Sequence, residues 1–136
     1  MAMSIDLEDW FQVENLKAAI PRESWEERTL RVEANTRVIL DIFEETGTEA
    51  TFFCLGWVAE RLPSLIEEIA SRGHEIASHG YGHQLLYEIG PDRFRDDLRQ
   101  AHTILEETGG QKVVGYRAPS FSITEWALDI LAEEGY

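Results

Sequence analysis

Residues 72–83 read "RGHEIASHGYGH", and the fold turns on whether this stretch is a metal-binding helix or a strand running into a loop. A zincin helix needs the HExxH spacing, which "HEIASH" does not have. The apolar beat of "HEIAS" suits a short strand instead. Gly80 and Gly82 then disfavour a regular helix, so His79 and His83 fall on a bent loop beyond the strand end.

Outward from this stretch the same rhythm recurs. "MSIDL", "ATFFCL" and "KVVGY" are also short apolar segments followed by helical patterns. The first helix is expected from about Glu26 to Thr46, with Val32, Ile39, Ile42 and Phe43 on one face and Gly47 as its stop. The second runs from Pro63 to a stop at Gly73, and the third from Pro91 with Phe94, Leu98, Ala101 and Leu105 at helical spacing. The fourth opens at "SITE", where Ser122 and Glu125 have capping-box spacing, and stops at Gly135. Four such units predict an α/β domain with a mainly parallel sheet, either doubly wound or part of a closed barrel.

A chain of 136 residues, 43% of them hydrophobic, supports one domain with a real core. Its net charge of −14 repels phosphate backbones and excludes nucleic acid as a partner. Most of the acidic residues read as solvated helix faces. The single cysteine, Cys54, lies in the apolar run "ATFFCLG" and reads as core. No run approaches the roughly 18 apolar residues of a membrane span, and "MAMSIDLEDW" has no leader pattern, so a soluble cytoplasmic protein is expected.

The polar groups that could carry chemistry fall just after the strands, at "DLEDW", "SHGYGH" and "YRAPSF". In parallel α/β folds the loops at these strand ends converge on one face. The i, i+4 spacing of His79 and His83 fits a metal grip and two exposed turn histidines equally well. The carboxylates shift the balance: Asp6 and Glu8 point to one side of a strand, and Asp9 follows at its end. Acidic groups there are costly without a neutralising charge. Two histidines and a carboxylate form a common divalent-metal set, and a second carboxylate can serve as general base. Arg117, beside the stiffening Pro119, can orient such a carboxylate through a bidentate pair. His74 reads as structural and His102 as solvated or partly packed. Trp126 reads as core, while Trp10 and Trp57 fit either core or a sugar-stacking wall.

In combination, "RGHEIASHGYGH", "ATFFCLG" and "GYRAPSFS" resemble the polysaccharide deacetylase family, the NodB-homology carbohydrate esterases, over nearly the whole chain. The opening and "RAPSFSIT" are most similar to its exopolysaccharide-locus branch. The resemblance implies a distorted (β/α) barrel of the deacetylase type, of which residues 1–136 supply about the first four βα units as the N-terminal part of one domain. It implies a divalent metal, usually zinc, held by an aspartate and two histidines, and hydrolysis of N-acetyl groups from the amino sugars of an acetylated polysaccharide. His79 and His83 become ligands, and Arg117 orients the catalytic carboxylate. Trp10, Tyr81 and Pro119 become candidate substrate contacts.

The family's first motif has adjacent aspartates, and "DLED" offers two registers. In the favoured one Glu8 is the base and Asp9 the ligand; in the other Asp6 is the base and Glu8 the ligand. Gly80 stands where the family commonly has serine or threonine, which keeps a metal-free, allantoinase-like amide hydrolase as an alternative. The later family motifs, with their general-acid histidine, are expected beyond residue 136. That leaves a non-catalytic carbohydrate-binding fragment as a third reading, with self-association through open sheet edges.

Overall fold

Alternation of side chains across the pleat builds the sheet. The computed structural model describes residues 3–136 and shows β1 (Met3–Leu7), β2 (Ala50–Cys54) and β3 (Glu75–Ser78) as a parallel sheet in the order β1-β2-β3. Along β2, Ala50, Phe52 and Cys54 are buried and the residues between them half-buried, the period-2 pattern expected of a strand. The register pairs Leu7 with Cys54 and Cys54 with Ser78, so the three strands end level. Glu8 and His79 therefore leave the sheet at the same height.

The helices are α1 (Val32–Thr46), α2 (Gly56–Arg61), α3 (Pro63–Ser71), α4 (Leu86–Gly109) and α5 (Glu125–Glu133). The first starts six residues later than the sequence suggests. Residues Arg22–Glu27 form a 3-10 turn whose Trp25 packs edge-on against Trp57 and at a tilt against Phe11. This cluster ties the long β1–α1 connection to α2 and puts Trp57 in the core. The buried stripe of α1 is Val32, Thr36, Leu40 and Phe43, and Ile42 is exposed.

In α4, Gly90 has φ 75° and ψ 175°, which breaks the helix at the residue before Pro91. Phe94, Leu98, Ala101 and Leu105 are fully buried along the rest. The expected fourth strand is reduced to a single bridge between Ser78 and Tyr116. Its ladder is short because the Val113 N–H donates to Glu106 Oε1 on α4, leaving hydrogen bonds only from Ser78 N to Gly115 O and Arg117 N to Ser78 O. The expected capping box of α5 does not form. Ser122 Oγ instead accepts the Leu86 N–H at 3.1 Å, joining the start of α4 to the α5 approach. No helix among the described residues is long and apolar enough to cross a membrane.

Candidate metal centre and active site

The histidine loop leaves β3 through a hydrogen bond from His79 N to Cys54 O. Gly80 (φ 76°) and His83 (φ 52°) then take left-handed backbone, turning the loop sharply enough to bring the two imidazoles to 5.3 Å between ring centroids. A left-handed non-glycine is strained and persists only where its surroundings impose it. Both histidines are buried.

His79 Nδ1 lies 2.8 Å from the Arg117 carbonyl oxygen. A carbonyl only accepts, so Nδ1 carries the proton and Nε2 keeps its lone pair free. Burial lowers the His79 pKa, opposed by the Arg117 carbonyl and the Asp6 and Glu8 carboxylates, so the ring is neutral at neutral pH. The bridge between β3 and Tyr116 thus does more than extend the sheet: it supplies the carbonyl that fixes the tautomer of His79.

Glu8 completes the group. One ligand atom each from Glu8, His79 and His83 lies within 4.8 Å of the others. His83 Nε2 approaches Glu8 Oε2 at 2.9 Å, yet Glu8 Oε2 and His83 Nδ1 are buried without a hydrogen-bond partner. A buried carboxylate oxygen without a hydrogen-bond partner, set between two ligand-competent imidazoles, is an arrangement that a cation would satisfy. The residues therefore fit a divalent ion, with two nitrogens and one carboxylate.

Asp6 stands beside this group. Its Oδ1 accepts from Arg117 Nη1 at 2.5 Å, and Arg117 Nη2 donates to Ser4 Oγ at 2.9 Å. The guanidinium also stacks 4.0 Å over the Phe53 ring, so its plane is held from below. The expected bidentate pair is in fact a single contact, because the second nitrogen is spent on Ser4. Asp6, Glu8, His79, His83 and Arg117 share a cavity of about 190 Å³ with Ser120 and Phe121 at its rim.

Asp9 is placed elsewhere, which corrects the favoured register. Its carboxylate is buried and accepts the N–H groups of Trp10, Arg31 and Val32 at 2.8, 2.8 and 3.1 Å. It caps the first turn of α1 from a distance of 22 residues and takes no part in the Glu8–His79–His83 group. The one-residue difference is decisive because both residues lie beyond the end of β1, where the Asp9 carboxylate meets the backbone N–H groups that open α1.

The three expected substrate contacts also lie off the cavity wall. Trp10 donates to the Thr29 carbonyl and stacks under Arg31. Tyr81 turns toward α2, where its hydroxyl donates to Glu60 Oε2 at 2.7 Å. Pro119 is buried and sets the turn. That turn instead presents Phe121, 83% exposed, with Ser120 and Phe121 both at positive φ. Sequence reasoning passed over this pair, whose only signal was an aromatic two residues after the proline. His74 is structural: its Nδ1 accepts the Ala50 N–H between the rings of Phe43 and Phe52.

Comparison with known proteins shows the family of the chain. The profile of the polysaccharide deacetylases matches residues 24–136. A peptidoglycan-N-acetylglucosamine deacetylase of Bacillus cereus is 33% identical over 101 residues, 74% of this chain and 37% of its own length. A chitooligosaccharide deacetylase of a Bradyrhizobium strain is 28% identical over 94 residues, 69% of this chain and 42% of its own. The crystal structure of a Mycobacterium smegmatis protein assigned to the polysaccharide deacetylases superposes with a TM-score of 0.82 at 32% identity, covering 99% of this chain and 48% of that one. This chain thus spans under half the length of these relatives, and its parallel sheet with flanking helices is the corresponding part of their distorted barrel. The chain belongs to the polysaccharide deacetylase family.

Proposed function

We propose that this chain carries the metal ligands and the base of a site that removes N-acetyl groups from the amino sugars of a polysaccharide. The observation that supports it is the convergence of Glu8, His79 and His83 beside the Asp6–Arg117 pair in one cavity. In this reading Glu8, His79 and His83 hold the ion, with zinc the first choice for two imidazoles and a carboxylate. When bound, such an ion supplies Lewis-acid polarisation of an amide carbonyl and lowers the pKa of water.

The chain's own residues do the rest. Asp6 accepts the proton of an attacking water at the carboxylate oxygen that Arg117 leaves free. Arg117 holds that carboxylate in direction through Nη1, while its backbone carbonyl holds His79 through Nδ1, so one residue aligns base and ligand. Phe121 offers an exposed aromatic face at the cavity rim for a sugar ring.

The test is acetate release from acetylated chitooligosaccharide by the zinc-loaded chain, with Asp6→Asn alongside. Asp6→Asn should keep its zinc and lose about 100-fold or more in rate. Undiminished release in Asp6→Asn would contradict its role as base. A folded, zinc-loaded wild type that binds the oligosaccharide and releases no acetate would favour the non-catalytic reading. No zinc in the wild type would favour the metal-free one.

A further inference from the structure

The histidine loop has a second set of supports that face away from the cavity. Its carbonyls at Gly80 and Tyr81 accept the N–H groups of Gly56 and Trp57 at 2.9 and 3.0 Å, from the first turn of α2. Its opposite edge meets Asp97, on α4 just before the buried Leu98. Asp97 Oδ2 accepts the Tyr81 N–H at 2.8 Å, and the Gly82 N–H is directed at the same carboxylate.

This carboxylate also accounts for Gly80. A Cβ at position 80 would lie 2.7 Å from Asp97 Oδ2, and the backbone there has φ +76°. Glycine at this place suits both the left-handed backbone and the close approach of a carboxylate that a Cβ would have to displace, whereas the sequence alone gives Gly80 only as a departure from a family pattern. His79 and His83 flank the two N–H groups that Asp97 engages, so their separation depends on where that carboxylate sits.

We propose that Asp97 is a positioning residue for the metal centre: its carboxylate clamps the Tyr81 and Gly82 N–H groups and thereby fixes the spacing of His79 and His83. The inference rests on the reading of His79 and His83 as metal ligands, but the clamp itself exists without an ion. Outer partners of metal ligands typically set metal affinity by about 10–100-fold. Asp97 touches neither the ion's ligand atoms nor substrate, so its effect is carried by the loop.

The experiment compares wild type, Asp97→Ala, Asp97→Asn, Gly80→Ala and Leu105→Ala, each checked for folding by circular dichroism and thermal melting. Zinc affinity is read by competition with a fluorescent chelator, and protection of the Tyr81 and Gly82 amides by hydrogen exchange in the zinc-free chain. Asp97→Ala should lose amide protection and bind zinc about tenfold or more weakly. Asp97→Asn, which keeps an accepting oxygen in place, should recover most of both. Leu105→Ala, a buried α4 change remote from the loop, should lower the melting temperature and leave zinc affinity unchanged. If Asp97→Ala does not fold, Gly80→Ala displaces the carboxylate without removing it and should weaken zinc in the same way. Wild-type zinc affinity and wild-type amide protection in a folded Asp97→Ala or Gly80→Ala chain would overturn the proposal. If the wild type binds no zinc, the ligand reading fails, and the amide protection still decides whether Asp97 clamps the loop.

Discussion

At the scale of single residues, the site depends on which carboxylate faces the histidines. Asp9, one residue beyond Glu8, is buried under three backbone N–H donors and acts on α1. Asp9→Ala should therefore cost about 3 kcal/mol of stability, measured by denaturant unfolding, because it strands buried donors. The residue types around the proposed metal site were legible in the sequence: His79, His83 and Arg117 follow the strand ends and the bridge as expected. The choice among Asp6, Glu8 and Asp9 was not, because it depends on which partner each side chain finds, and Asp9's partners lie at Arg31 and Val32. His74 offers a pH test away from the candidate site. Burial lowers its pKa below the ordinary 6.5, so the unfolded chain binds the proton more readily. Its contribution to stability is complete above that value and is lost as pH falls below it through the folded pKa. NMR titration of His74 should show a midpoint below 6.5, with melting temperature falling in step; a midpoint at or above 6.5 would contradict this account.

At the scale of elements, periodicity carried the long helices and failed where backbone groups found partners outside their own element. The heptad-like spacing of Phe94, Leu98, Ala101 and Leu105 gave the buried face of α4 directly. Phe94 packs against Tyr116 and Trp126, linking α4 to the bridge segment and α5. Phe94→Ala should thus cost about 3–5 kcal/mol by denaturant unfolding. By contrast, "KVVGY" has the composition of a strand and makes only a bridge, since Glu106 takes the Val113 N–H. "SITE" has the letters of a capping box, but Ser122 is used by Leu86. α2, between β2 and Pro63, went unread because its six residues are too few to show a period. α5 is fixed to α4 through Glu134, which Arg99 and Arg95 hold down to a pKa of about 2.

At the scale of the whole molecule, the parallel sheet brings the ends of β1, β2 and β3 level, and the site is built from Asp6 of β1, the connections that leave β1 and β3, and the Arg117–Phe121 segment that follows the bridge to β3. Among the described residues β1 pairs only with β2, so its other flank is open. An unpaired flank recruits strands, and the chain is expected to self-associate as its concentration rises, against the opposing net charge of −14. Sedimentation velocity over a dilution series tests this; a concentration-independent monomer would contradict it. The central claim is that Glu8, His79 and His83 form one metal centre that excludes Asp9. Elemental analysis of the zinc-equilibrated chain tests it most directly, with Glu8→Ala, His79→Ala and Asp9→Asn prepared in parallel. The account predicts stoichiometric zinc in the wild type and in folded Asp9→Asn, lost in Glu8→Ala and His79→Ala. Zinc retained by Glu8→Ala and lost by a folded Asp9→Asn, or no zinc in a folded wild type, would contradict it.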